Sequence, residues 1–242
     1  MGKVGSDERG RKIERTVSNE GVDTRAMVRE SDAISQLSFI IVEAKSGRKT
    51  TYYTPGSVSE LRADEIDPAL LDGVSCLLVD GVYPAAQSAL MRSARERNIP
   101  VVLKTGGRSS KAAELVEFCD YLITTERFAS RLTGMGQLTE LCEALLKRGP
   151  HTVVVTMGDE GCVAMHRDDD TMLREPAFAV EMVDDTGSGA VFLGAFVYGI
   201  LQGWELGKKV AVANVAAGLS CRDLGARSAQ VSVADVLREL PK

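Results

Sequence analysis

A glycine-rich segment near the end of the chain has the residue types of an anion-binding site. Residues 183–196 read VDDTGSGAVFLGAF, so two carboxylates and a run of small residues precede an apolar stretch typical of a helix. Small residues at a helix start let backbone N–H groups point at one spot, where the helix dipole favours negative charge. The segment predicts either an anion hole at Gly187, Ser188 and Gly189 or a glycine-rich helix cap that binds nothing.

The same segment closely resembles the signature of the PfkB (ribokinase-like) carbohydrate kinases, which is roughly D-T-x-G-A-G-D-x-F. The match runs from Asp184 to Gly189, with Asp185 in place of the threonine, and resumes at Phe192, but the aspartate that serves as catalytic base in the family falls on Ala190. A methyl group accepts no proton, and general-base assistance is worth about 10²–10⁴ in rate. The resemblance therefore implies an ATP-dependent kinase for a sugar or polyol whose phosphotransfer to a hydroxyl is lost or crippled.

Three further segments carry this resemblance along nearly the whole chain. Residues 2–11 (GKVGSDERGR) look like the family's G-x-V-G-x-D-x-x-G segment, and residues 153–162 look like its ATP-side strand and turn. Residues 213–226 look like the helix and loop beside the nucleotide base and a monovalent cation. The positions that the resemblance assigns to ATP, which the family uses with Mg²⁺, are Thr156, Gly158, Gly161 and Asn214. Those that it assigns to a potassium-type cation are Asp184, Thr186, Ser220 and Gly225.

The sequence also departs from the family pattern in two other places. The N-x-x-E motif that orders magnesium and phosphate falls on residues 125–128 (TERF), with Thr125 in place of the asparagine and Phe128 in place of the glutamate. The family's first strands and its G-G-x-x-x-N substrate motif would precede residue 1. An uncovered sheet edge exposes unpaired N–H and C=O groups, so we expect a homo-oligomer.

The order of the predicted elements is that of an α/β protein. Two β-type runs predict a hairpin at 37–53, which matches the family's substrate lid. After it, apolar strands alternate with helices of 8–15 residues, which is typical of a mostly parallel sheet covered on both faces. The predicted strands are 76–80, 99–104, 121–124, 151–158, 162–166 and 178–183. The predicted helices are 11–20, 85–97, 112–118, 126–132, 138–148, 190–201, 208–221 and 233–240. The resemblance makes this a single ribokinase-like domain over 1–242.

Two charged residues end neighbouring predicted strands, at the edge where open α/β sheets bind ligands. Asp80 is a candidate substrate contact or else a solvated strand end. Lys104 stands where relatives often carry an acidic residue, and it is either an anion contact or a solvated side chain.

Composition excludes several classes of protein. The 29 basic residues against 34 acidic ones give a net charge of −5, which offers no electrostatic case for binding nucleic acid. Only two histidines are present, and the five cysteines lack a C-x-x-C pair, which argues against a multi-histidine metal site and predicts buried thiols. No apolar run approaches the ~18 residues of a membrane span. We expect a cytoplasmic protein; the rival to a kinase is a non-catalytic structural or regulatory subunit with a kinase-like fold.

Overall fold

Two compact units, Met1–Leu70 and Leu71–Lys242, make up the chain. A computed structural model describes residues 1–43, 49–106, 110–169, 171–227 and 231–240. Within these ranges no helix is long and apolar enough to cross a membrane. The organisation as a single domain stays a prediction.

The first unit begins with a small parallel pair of strands that the sequence did not predict. Strand β1 (Gly2–Gly5) leads into helix α1 (Glu8–Asn19), and strand β2 (Met27–Glu30) then pairs with β1. Helix α1 begins three residues earlier than predicted because Asp7 caps it. The Asp7 carboxylate accepts hydrogen bonds from the Ser35 hydroxyl at 2.7 Å and the Gly10 N–H at 3.0 Å, and these bonds hold its pKa below the usual range.

The predicted hairpin is present in the first unit. Strand β3 (Leu37–Val42) pairs with strand β4 (Lys49–Thr54) in antiparallel register, with Phe39 opposite Tyr52. These two aromatic side chains are 63% and 60% exposed. The tight turn predicted at Ser46-Gly47 lies outside the described residues, and the role of the hairpin as a lid stays a prediction.

The second unit is a six-stranded sheet flanked by helices, as predicted. The strand order is β10-β9-β8-β7-β6-β5, in which β5 to β8 are parallel and β9 and β10 are antiparallel. The strands are β5 (Leu77–Val79), β6 (Val101–Lys104), β7 (Tyr121–Thr125), β8 (Thr152–Thr156), β9 (Cys162–His166) and β10 (Leu173–Glu175). The α-helices are α2 (Pro84–Glu96), α3 (Glu126–Thr133), α4 (Leu138–Leu146), α5 (Ser188–Leu201), α6 (Leu206–Ser220) and α7 (Val233–Glu239). The helix predicted at 112–118 is a 3₁₀ helix, Ser110–Phe118.

Alternate side chains of each central strand pack on opposite faces of this sheet. Val101 and Leu103 of β6 share a core with α2, α3 and α4, whereas Val102 shares a core with Phe192 and Phe196 of α5. This two-sided burial explains why the strands are continuous apolar runs in the sequence. The last residue of β6, Lys104, has the same parity as Val102 and so faces the side of the sheet that α5 covers.

The strand predicted at 178–183 is wrong. The edge strand is instead β10, and the chain leaves the sheet at Pro176. Two contacts draw the next residues onto α6: the Asn214 side chain donates to the Pro176 carbonyl at 2.5 Å, and Phe178 packs against Gly218. Residues 178–183 form no strand, and Met182 and Val183 at the end of this run are exposed.

Candidate active site

The start of helix α5 presents backbone N–H groups at the carboxyl edge of the sheet. Gly187 caps the helix in the left-handed conformation at φ 92°, and its carbonyl accepts hydrogen bonds from Ala190 and Val191. The Ser188 amide donates to the Asp185 carbonyl at 3.2 Å. No residue in the described ranges accepts a hydrogen bond from the Gly187 or Gly189 amide. Two of the three predicted anion-hole amides are therefore available to a ligand.

A buried carboxylate shapes the turn that leads into α5. Asp184 is 6% exposed, and its Oδ1 accepts from the Thr186 N–H at 2.9 Å and the Thr186 hydroxyl at 2.6 Å. Its Oδ2 accepts from the Gly225 N–H at 2.9 Å, which ties the turn to the loop that follows α6. A Cβ on Gly187 would lie 2.8 Å from the Ala226 carbonyl oxygen of the same loop. Glycine is thus required at Gly187 by both its dihedral angle and its surroundings.

Ala190 lies in the first turn of α5 and is exposed. A longer side chain at this position would meet solvent and not the core. The structure therefore leaves room for the proton acceptor that the sequence pattern lacks.

The predicted ATP residues of the strand-and-turn segment follow β8. The Thr156 hydroxyl, at the end of β8, donates to the Thr124 carbonyl of β7 at 3.2 Å. Gly158 and Gly161, both at positive φ, flank the turn into β9. A Cβ on Gly161 would lie 2.1 Å from the Glu175 carbonyl oxygen, whereas Gly158 faces open space. Gly161 is therefore needed for the turn itself, and Gly158 is open to a ligand.

Asp80, the predicted substrate contact, is exposed and follows β5. Its Oδ1 accepts from the Val82 N–H at 3.0 Å and from Gln87 Nε2 at 2.8 Å. Gln87 thus orients the Asp80 carboxylate. Sequence analysis missed Gln87, because no motif marks a glutamine seven residues after a strand end.

Thr125 and Phe128 have structural roles in place of the magnesium-ordering motif. The Thr125 hydroxyl caps α3 by accepting from the Phe128 N–H at 3.3 Å, and the Phe128 side chain is buried, 5% exposed. Neither residue offers a carboxylate at the edge of the sheet.

The comparisons with known proteins agree on one family. The sequence model of the pfkB family carbohydrate kinases matches residues 1–232. This chain belongs to the PfkB family. It is 28% identical to a ribokinase of Lactococcus lactis over 63% of its own length and 49% of that enzyme's. It is 26% identical to the ribokinase of Haemophilus influenzae over 93% of its own length and 75% of that enzyme's.

Solved structures of PfkB relatives share the fold. A ribokinase from Thermotoga maritima superposes with a TM-score of 0.84 at 25% identity, covering 98% of this chain and 78% of the other. An Arabidopsis thaliana ribokinase complexed with ribose and ATP gives a TM-score of 0.84 at 21% identity, covering 98% and 80%. An E. coli structure reported under the name ribokinase II, in complex with ATP and Mg²⁺, superposes with a TM-score of 0.87 at 17% sequence identity. The superposition covers 98% of this chain and 82% of the other.

The residues assigned to a potassium-type cation are only partly free to bind one. Both carboxylate oxygens of Asp184 already accept hydrogen bonds from N–H or O–H groups. The Ser220 hydroxyl donates to the Ala217 carbonyl at 2.7 Å within its own helix. These hydrogen bonds use part of the bonding capacity of the side-chain oxygens and leave them further lone pairs, so the cation site stays a prediction. In the described residues no cluster of three or more acidic, histidine or cysteine side chains could hold a metal.

The cysteines behave as the buried thiols that the sequence predicts. Among the described residues all five are free, and four of them are buried. Burial raises the pKa of the Cys76 thiol to about 11 and that of Cys162 to about 12. These thiols stay protonated at neutral pH and carry no nucleophilic chemistry.

Asn214, predicted to contact the adenine of a PfkB nucleotide, holds a loop in place, and its contact with a nucleotide stays a prediction. It is 7% exposed and its amide binds Pro176, as described above. We expect Asn214→Ala to lower the free energy of unfolding by about 0.5–1.5 kcal/mol, because the partly buried hydrogen bond to the Pro176 carbonyl is lost. Urea denaturation measures this, with Ser220→Ala on the same helix as the control. Unchanged stability together with weaker ATP binding would instead assign Asn214 to the nucleotide.

Proposed function

We propose that this PfkB chain binds ATP and a small sugar or polyol, and that it transfers phosphate poorly or not at all. The observation that carries the proposal is the start of α5, where the Gly187 and Gly189 amides are open and the next residue, Ala190, carries no proton acceptor. The family membership supports the substrate classes. The ATP-bound relatives support the nucleotide.

The chemistry divides between what this chain retains and what it lacks. Open amides at a helix start, with the positive end of the helix dipole, stabilise the negative charge of a phosphoryl group in binding and in transfer. Deprotonation of the acceptor hydroxyl has no assigned side chain, since Ala190 cannot accept a proton. Thr125 and Phe128 replace the asparagine and glutamate that order magnesium in the family, and they have structural roles here. Magnesium would therefore be bound mainly by the nucleotide phosphates. A potassium requirement stays a prediction.

Thermal unfolding with and without nucleotide tests the proposal. ATP with Mg²⁺ should raise the stability of the wild-type chain as RT ln(1 + [L]/Kd), about 2.7 kcal/mol at 100 times the Kd, while ADP release in the presence of sugars stays at background. A chain that shows no shift with any nucleotide would instead be the non-catalytic structural or regulatory subunit. Rapid turnover by the wild type would refute the loss of transfer.

The assembly state and location belong to this proposal as well. A homo-oligomer is supported by the exposed Phe39 and Tyr52 on the hairpin, since apolar surface of this kind often marks a contact. The cytoplasmic location stays a prediction from the sequence.

A further inference from the structure

The only two histidines of the chain meet at one edge of the six-stranded sheet. His151 immediately precedes β8, and His166 is the last residue of β9. Because these strands are antiparallel and Thr152 pairs with His166, both histidines lie at the amino end of β8. The length of β8 places this edge about 15 Å from Thr156 at the other end of the strand. The histidine pair is therefore separate from the candidate active site at the carboxyl edge.

The spacing of the two imidazole rings suits a shared metal ion. The centroids of the His151 and His166 rings lie 5.3 Å apart, with an angle of 49° between the ring planes. A transition metal bound about 2 Å from a ring nitrogen lies about 3 Å from the ring centre, so two ligating rings at a tetrahedral angle have centres about 5 Å apart. The observed separation agrees with this value.

Hydrogen bonds orient one nitrogen of each ring and leave the other nitrogen open. Nδ1 of His151 lies 2.9 Å from the Thr152 hydroxyl, and Nδ1 of His166 accepts from the Asp168 N–H at 3.2 Å. Within the described ranges neither Nε2 atom has a hydrogen-bond partner. A metal on Nε2 of His166 leaves the ring proton on Nδ1, where Asp168 Oδ2, 3.7 Å away, is placed to accept it.

The surroundings of His151 favour the neutral ring that a metal ligand requires. Burial is the largest of the effects that hold the pKa of His151 below its usual range. His166, Arg167 and Lys209 act in the same direction, and the Asp120 carboxylate acts in the opposite one. At neutral pH the ring therefore keeps a lone pair for a metal ion.

The two cations near the pair are engaged by other groups. Arg167 donates to the carbonyls of residues 149 and 150 at 2.6 and 2.8 Å. The Lys209 ammonium group lies 5.2 Å from the centre of the Tyr121 ring, which itself packs edge-on against His151 with centroids 4.6 Å apart. These contacts fix the His151 ring from one side and direct both cations to partners other than the imidazoles.

We propose that Nε2 of His151 and Nε2 of His166 together bind one divalent ion of the nickel, copper and zinc group. Imidazole nitrogen is a favoured ligand of these ions, and water completes the coordination. Each ring lines a surface cavity, of about 410 Å³ beside His151 and about 560 Å³ beside His166, through which an ion can enter. The bound ion would join β8 to β9 and stabilise the folded chain. This inference goes beyond the proposed function and does not depend on it.

Calorimetric titration of the untagged, metal-free protein with Zn²⁺ and Ni²⁺ tests the assignment. The variants are His151→Asn, His166→Asn and, as the matched control, Glu160→Gln. Glu160 is an exposed carboxylate in the turn that joins the other ends of β8 and β9. We expect each histidine variant to bind both ions about 100-fold more weakly, because a single ligand loses the advantage of chelation. Glu160→Gln should bind them as the wild type does.

Pulsed EPR of the Cu²⁺-loaded wild type gives a second measurement that does not depend on the folding of any variant. It counts the imidazoles on the metal, and we expect two in the wild type and one in each histidine variant. One imidazole or none in the wild type would overturn the inference. Equal Zn²⁺ affinity of the wild type and both histidine variants would overturn it as well.

Discussion

Replacing Ala190 by aspartate should raise phosphotransfer by about 10²-fold over the wild type. The position is exposed on the first turn of α5, directly after Gly189, so a carboxylate fits there and occupies the place of the catalytic base in the PfkB signature. General-base assistance is worth about 10²–10⁴. We expect the lower end, because Thr125 and Phe128 also replace the magnesium-ordering pair of the family pattern. ADP release across a panel of sugars, sugar acids and nucleosides measures the gain.

The matched control for this experiment is Ala190→Asn, which has nearly the same shape but accepts no proton at neutral pH. It should stay at the wild-type background. If Ala190→Asp binds ATP and still shows no increase in phosphotransfer to any acceptor, the missing base is not the only cause of the lost activity. The altered residues at 125–128 would then be the next to restore, because Thr125 and Phe128 replace the magnesium-ordering pair.

The sequence predicted the central sheet well because its strands are buried on both faces. Residues 101–103 and 153–155 are apolar at successive positions, a pattern that is typical of strands in a sheet covered on both faces. Strand β1 was missed because one of its inward positions is a lysine. The Lys3 side chain is 4% exposed, and its ammonium group binds Glu65 at 2.8 Å and lies 3.5 Å from Glu30. A lysine in a partly buried ion pair thus stands where a pattern search expects an apolar residue.

Some residues of the candidate site could be identified from the sequence, whereas the contacts of others could not. The glycine-rich start of α5 is local in sequence, so Gly187 and Gly189 could be identified from their order alone. Asn214 was assigned to the nucleotide, but its partner Pro176 lies 38 residues away, and no local pattern reveals that contact. The approach of Lys104 to Gly189 joins a strand end to a helix start 85 residues later, so it follows from the three-dimensional structure alone.

Gly189→Val should abolish most nucleotide binding without unfolding the protein. Gly189 is exposed and has a helical backbone, and a Cβ there meets nothing closer than the Lys104 Cε at 4.0 Å. The fold therefore tolerates the side chain, and replacing glycine within a helix even reduces the entropy lost on folding. The two methyl groups would instead fill the space in front of the open amides. We expect the Kd for ATP to rise at least about 10-fold, since a charge-assisted hydrogen bond to the phosphate is lost.

Gly194→Val provides the matched control on the same helix. Gly194 is also exposed, with nothing within 4 Å of its Cβ position, but it lies five residues farther along α5, away from the helix start. Gly194→Val should leave ATP binding unchanged. A difference in ATP affinity between the two variants would then come from the position of the valine and not from a general effect of valine on the helix. Both proteins should unfold within about 1 kcal/mol of the wild type, because neither side chain enters the core. Undiminished ATP binding by a folded Gly189→Val protein would show that the start of α5 does not hold the phosphate. The glycine-rich segment would then be only a helix cap.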